Sequence, residues 1–260
     1  MHGLGNDYLY VFSDTEPENP EELSIKLSER HFGAGSDGMI WILPSQTADF
    51  KMRIFNADGS EAMMCGNGIR CVGKYVYDKG HTRKTHLTIE TLSGIKTLEL
   101  TVENGRVKSV AVGMGKAVVG SKGSVVIDGE TVEYTPVSMG NPHAVVFTDD
   151  AANAPLTTTG AKMERHPAFP GGVNVEFVQV IAPDKLRMRV WERGSGITMA
   201  CGTGACASVA AAVSAGFCSA GSDVEVVLDG GSLHISISAE NDVTMIGPAE
   251  MIYEGETIDD

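Results

Sequence analysis

Hydrophobic and polar residues alternate along most of the chain, and the alternation predicts strands. The runs HLTIETL at 86–92, KTLELTV at 96–102 and RVKSVAVG at 106–113 are short and divided by Ser-Gly and Asn-Gly, the punctuation of hairpins. Similar runs recur at 124–134, split by Asp128-Gly129, and at 173–181, 186–192, 223–228 and 232–238. Residues 21–30 follow Pro20 and set Leu23, Ile25 and Leu27 among charges, which predicts a helix. Residues 68–79 and 204–217 are apolar and rich in small side chains, which predicts helices buried on most sides. Many strands with one buried helix in each half predict an α+β architecture, sheets wrapped around central helices.

The chain also repeats itself. KMRIFNADGSEAMMCGNG at 51–68 aligns without a gap on RMRVWERGSGITMACGTG at 187–204, an offset of 136. Met52, Arg53, Met63, Cys65, Gly66 and Gly68 recur as Met188, Arg189, Met199, Cys201, Gly202 and Gly204. GNDYLYVF at 5–12 pairs with GNPHAVVF at 140–147 at an offset of 135. Two blocks in the same order at nearly one offset predict a duplicated domain joined near residues 113–123. The expected division is 1–115 and 116–246, with 247–260 packing back on the first domain; 260 residues suffice for two such domains.

Charge and cysteine usage narrow the function. Lys and Arg number 20 and Asp and Glu 34, a net −14 that argues against a nucleic-acid partner or an anionic membrane surface. No apolar run approaches the ~18 residues of a spanning helix. The N-terminus lacks the basic and apolar regions of a signal peptide, so a cytoplasmic protein is expected. The five cysteines are an odd number without Cys-x-x-Cys or zinc-finger spacing, which predicts free thiols and no metal site.

Cys65 and Cys201 are the cysteines the repeat relates. Each stands in Met-x-Cys-Gly-x-Gly, after a strand-like segment and before an apolar helical one. A helix start offers unpaired amides and a positive dipole end, which biases a thiol toward thiolate and can seat an anion. Duplicated halves tend to pack about a pseudo-twofold axis, which would set the two thiols across a cleft. One would then remove a proton from a carbon and the other return one to its opposite face, inverting a stereocentre without a cofactor. Cys71, Cys206 and Cys218 read as core filler, and Met63 and Met199 as packing residues.

The segments MHGLGNDY (1–8), FNADGSEAMMCGNG (55–68), MGNPH (139–143), VN (173–174) and ERGSGITMACGTGACA (192–207) closely resemble the diaminopimelate epimerase family. The resemblance implies that family's fold and a cofactor-independent, two-base isomerase acting on LL- and meso-2,6-diaminopimelate, as a cytoplasmic homodimer. Cys65 and Cys201 match the catalytic cysteines, the first the usual donor and the second the usual acceptor. Asn6, Asn56, Asn141, Asn174, Glu192 and Arg193 match substrate residues. Gly66-Asn67 and Gly202-Thr203 match the backbone anion nests, and His143 and Glu192 match positions that tune the thiols. Arg193 offers a fork that suits a carboxylate, and Glu192 can accept from an ammonium.

Two departures stand out. Gly38 occupies a position where many members carry Gln, so no side-chain contact carries over there. The chain begins at Met1-His2-Gly3, where relatives usually have a few more residues, so either a shortened first strand or a start site placed late is expected. Three other readings compete: a proline or hydroxyproline racemase, a small-molecule binding module switched by a Cys65–Cys201 disulfide, and, more weakly, a cysteine hydrolase with His143 as base. The Glu192-Arg193 pair argues against the first, because a substrate without a distal end leaves it idle.

Overall fold

The computed structural model describes residues 1–257. The chain divides into two compact units, Met1–Val110 with the segment from Pro248 onward, and Ala111–Gly247. Both are sheet-dominated with few helices, as the α+β reading requires. Among the described residues no helix is long and apolar enough to cross a membrane.

In the N-terminal unit, strands Leu9–Phe12 and Gly38–Leu43 run parallel, and helix α1, Pro20–Ser28, lies between them in the chain. Strand Phe50–Asn56 returns antiparallel to Gly38–Leu43, and the short strand Glu61–Ala62 folds back on it. Helix α2, Gly66–Asp78, follows, and then strand His86–Thr91 runs parallel to Phe50–Asn56 before turning into Gly94–Glu103.

The C-terminal unit repeats this succession. Strands Pro142–Phe147 and Asn174–Ala182 run parallel, separated by a π-turn at Leu156–Gly160 and the short helix α3, Ala161–Glu164. Strand Lys185–Glu192 returns antiparallel, Gly196–Ile197 folds back on it, and helix α4, Gly202–Ser214, follows. Val224–Leu228 then runs parallel to Lys185–Glu192 and turns into Gly231–Ile237. The residues that recur in sequence serve the same ends in both units. Met52 and Met188 are buried, while Arg53 and Arg189 each pair with a carboxylate, Glu61 at 2.7 Å and Asp229 at 3.0 Å.

Strand Gly38–Leu43 is absent from the sequence reading for a physical reason. All six of its residues are buried, so the run GMIWIL shows no alternation. Met39, Trp41 and Leu43 cluster with Leu23 and Leu27 of α1. Ile40, between them, lies against Gly68 of α2.

Helices α2 and α4 are buried because small residues let the sheet approach them. A Cβ on Gly73 would meet Leu98 at 2.8 Å, and α4 is an alanine-rich segment with Ala205, Cys206, Ala207 and Ala211 fully buried. Arg70 of α2 is also fully buried. Its guanidinium donates to Gly66 O at 3.1 Å, Asn67 Oδ1 at 3.0 Å and Pro248 O at 3.1 Å. Together with the antiparallel bridge His2–Glu250, it ties the late segment to the N-terminal unit.

Candidate active site

The two thiols occupy equivalent local structures. Helices α2 and α4 begin at Gly66 and Gly202, two residues before the apolar pattern starts, which makes Cys65 and Cys201 their N-cap residues. Glycine is a poor interior helix residue, so the pattern alone places the start too late; in the first turn no intrahelical partner is lost. Each cysteine is extended, and its sulfur accepts from the amide three residues on, Gly68 N and Gly204 N, both at 3.3 Å. This is an N-cap made by sulfur in place of the usual oxygen. The first amides bonded to a carbonyl four residues back are Ile69 N and Ala205 N, so the amides before them point out of the helix end.

Around Cys65 the structure gathers Asn6 and a residue absent from the sequence reading. The Cys65 thiol donates to Asn6 Oδ1 at 3.3 Å, and Asn6 Nδ2 donates to Asp37 Oδ2 at 2.9 Å. Asp37 also accepts from the Asp7 amide at 3.0 Å and pairs with Arg30 at 3.1 Å. Asn56 stands apart from this chain, accepting from Tyr8 OH at 3.2 Å and donating to Ser60 at 3.0 Å. Asn67 turns its side chain inward to Arg70, which leaves its backbone as the part available to an anion nest.

The Cys201 surroundings are more polar and more enclosed. Thr203 Oγ1 lies 3.6 Å from the sulfur, and Asn141 Nδ2 donates to Thr203 at 3.3 Å. Asn141 Oδ1 lies 3.0 Å from His143 Nε2, and His143 Nδ1 lies 2.7 Å from Glu176 Oε1. The Glu192 carboxylate accepts from Thr198 and acts on the nearby Cys201 thiol through its charge. Burial pushes the Cys201 thiol well above its ordinary value, and the Glu192 and Glu176 carboxylates push the same way. This corrects the expected bias toward thiolate, because the Gly204 amide pulls the other way but is outweighed. Burial also raises the Glu192 carboxyl, which makes its ionised form a stronger base.

The remaining predicted residues shape the wall beside Cys201. Asn174 accepts from Arg193 N at 2.9 Å and donates to Pro142 O at 3.0 Å, so its amide holds two backbone segments together. The exposed Arg193 guanidinium rests on Gly171 O at 3.1 Å. Glu164 steadies the same turn, accepting from Trp191 Nε1 at 2.8 Å and Gly194 N at 2.9 Å. Gly38 pairs with Asn56 across the sheet and contributes backbone alone.

Cys71, Cys206 and Cys218 are buried, as core filler should be. The packing expectation for the two methionines is wrong. Met63 is 63% exposed and Met199 51%, because each sits on the loop just before its helix rather than under it. Glu176 had a signal in the sequence: a lone charge in the apolar strand NVEFV, two residues from Asn174 and therefore on the same face.

A family model described as diaminopimelate epimerase matches residues 1–120 and 135–252. The chain belongs to the diaminopimelate epimerase family. Curated proteins of that name from Acetivibrio thermocellus, 52% identical, and Methanococcus maripaludis, 51% identical, each align with 98% of this chain and with 96% and 97% of their own length. Solved structures share the fold at lower identity. A predicted epimerase from Pseudomonas aeruginosa matches with TM-score 0.72 at 15% identity, covering 96% of this chain and 93% of its own. A hydroxyproline epimerase from Agrobacterium vitis matches with TM-score 0.67 at 20% identity, covering 90% and 79%.

For this member of the diaminopimelate epimerase family, the thiol environments predict unequal labelling. Cys201 is 5% exposed and its thiol is held protonated, whereas Cys65 is half-buried. Iodoacetamide is expected to label Cys65 first. The Cys201 rate should keep rising with pH from about 7 to about 9 without a plateau, since a raised thiol sheds its proton only above that range. Peptide mass spectrometry reads both rates; a Cys201 plateau below about pH 9 would contradict the enclosed environment.

Proposed function

We propose that the chain is an isomerase converting LL-2,6-diaminopimelate to meso-2,6-diaminopimelate, a step in lysine and peptidoglycan precursor synthesis, with Cys65 and Cys201 as its proton carriers. The observation that carries this reading is the duplicated thiol cap. In each unit a cysteine ends a buried helix, its sulfur on an amide, beside glycine-flanked backbone suited to a carboxylate.

The chemistry follows from those groups. The α-hydrogen leaves as a proton to one thiolate, and the other thiol delivers a proton to the inverted carbon. One proton is taken and one given, so the reaction balances without a redox partner. In the forward direction Cys201 is the acceptor and must first lose its own proton. Glu192, beside that thiol and made more basic by burial, takes it in this scheme. His143 tunes the same thiol through Asn141 and Thr203.

The first-turn amides at Gly66-Asn67 and Gly202-Thr203 meet the α-carboxylate and stabilise the charge that builds on it. Arg193 offers its fork to the distal carboxylate, and Asn6, Asn56 and Asn141 supply mixed donors and acceptors to the amino-acid groups. Asn174 holds Arg193 in place by its main chain. The reading carries with it a cytoplasmic homodimer as the working form.

The test is isotope exchange. Reduced protein incubated in D₂O with either diaminopimelate isomer is expected to incorporate deuterium at Cα and to form the other isomer. Absence of both from folded, reduced protein would refute the reading. Exchange into proline or hydroxyproline instead would favour the racemase alternative. Activity unaffected by oxidation would exclude the disulfide-switched module.

A further inference from the structure

We infer that Glu176 is a positioning residue for Cys201: its carboxylate fixes the ring of His143, and His143, through Asn141 and Thr203, fixes the hydroxyl beside the sulfur. This rests on the epimerase reading and extends it to a residue that no motif assigns.

The burial of Glu176 has no explanation in stability. Its side chain and that of His143 are both fully buried, with Oε1 2.7 Å from Nδ1. Its Oε2 is buried without a hydrogen-bond partner among the described residues. Desolvating a carboxylate and leaving one oxygen unsatisfied is expensive, and an apolar side chain of similar size often serves a core equally well or better.

The repeat supplies that comparison within the same molecule. The position 136 residues earlier is Ile40. Both residues lie on the strand second in the parallel pair, and both face the same glycine of the thiol-bearing helix. A Cβ on Gly68 would meet Ile40 Cδ1 at 2.6 Å, and one on Gly204 would meet Glu176 Oε1 at 2.8 Å. In the N-terminal unit an aliphatic residue fills this place, so the fold does not require an acid there. What differs is the neighbour. The counterpart of His143, at an offset of 135, is Tyr8, a phenol whose hydroxyl donates to Asn56.

The hydrogen bonds run outward in one line. Glu176 Oε1 facing Nδ1 and Asn141 Oδ1 facing Nε2 are both acceptors, so the line holds with a proton on each ring nitrogen. Nε2 meets Asn141 Oδ1 at 3.0 Å, Asn141 Nδ2 donates to Thr203 Oγ1 at 3.3 Å, and that oxygen lies 3.6 Å from Cys201 Sγ. Outer partners that orient an imidazole in this way typically change function by about 10- to 100-fold when removed, the range known for metal-bound histidines.

The experiment is a double-mutant cycle on the full chain, Glu176→Gln, His143→Gln and both together. Glu176→Gln is expected to lower kcat about 10- to 100-fold with KM changed less than about twofold, because Glu176 acts on the thiol's surroundings and not on substrate. The double variant should be no slower than His143→Gln alone, within about twofold, since the two residues form one line. Losses that multiply, or a KM effect larger than the kcat effect, would overturn the proposal. A readout free of turnover and of variant folding is the nitrogen-15 spectrum of the wild-type histidines, with His143 assigned from its absence in His143→Gln. Protons on both ring nitrogens are expected, and a bare nitrogen would overturn the proposal. Protonated Nδ1 in a wild-type protein that fails the exchange test would refute the epimerase reading while leaving the Glu176–His143 arrangement standing.

Discussion

Replacing either Cys65 or Cys201 with alanine is expected to abolish epimerisation while sparing half of the exchange chemistry. Inversion needs one group to take the α-proton and another to return one to the other face. Each thiol supplies one of these and no side chain beside it substitutes for it. The Cys65 sulfur meets the side-chain amide of Asn6 and the backbone amide of Gly68. Around Cys201 the Glu192 carboxylate already accepts from Thr198. Turnover should therefore fall by about 10⁴-fold or more, the upper range for losing a positioned acid–base group.

The thiol that remains can still remove a proton and return solvent deuterium to the same face. Each alanine variant should thus exchange Cα-hydrogen in one isomer of diaminopimelate without inverting it, and the two variants should choose opposite isomers. Losing the sulfur cap costs only about 0.5–2 kcal/mol, which leaves both variants folded for the measurement. NMR of the recovered substrate reads exchange and inversion together. Exchange of the same isomer by both variants, or retained inversion in either, would defeat the two-base scheme.

Gly38→Ala is expected to produce the largest loss of stability among single methyl additions. The residue has φ of 152°, and a Cβ there would stand 2.2 Å from Phe55 O, 2.8 Å from Asn56 Cα and 2.9 Å from a ring carbon of Tyr8. Two of those obstacles are backbone of the adjoining strand and cannot rotate away. Backbone strain of about 1–3 kcal/mol adds to overpacking of about 1–3 kcal/mol, a sum that is a large share of a typical domain's stability. Thermal unfolding should show a drop of several degrees or more. Partial relief by moving Asn56 would appear as a raised KM, since Asn56 faces Gly38 across the sheet. An unchanged Tm would mean that the two strands lie farther apart.

The parts legible in sequence were those that repeat or alternate. The offset of 136 located both thiol caps, and alternation located the hairpins from His86 to Glu103 and from Val224 to Ile237. Two kinds of feature were not legible. Gly38–Leu43 hid because burial on both faces erases alternation. Asp37, in the bend before Gly38, hid because it acts through Asn6, and Glu176, although a lone charge in an apolar strand, shows no role until His143 is known as its neighbour. The protonation bias of Cys201 was misjudged for a related reason. A helix end can be read from sequence, whereas two carboxylates converging on one sulfur cannot.

The bond from Arg70 to Pro248 bears on the order in which the polypeptide matures on the ribosome. An arginine with no solvent contact depends on every acceptor it has, and one of them is a carbonyl that is synthesised 178 residues later. Until that carbonyl arrives, the emerging N-terminal unit holds an incompletely satisfied cation in its interior, whereas Ala111–Gly247 is a single uninterrupted stretch. The unit translated first is consequently the one finished last. A released chain truncated before Pro248 should be protease-resistant in the later half and still susceptible in the earlier one.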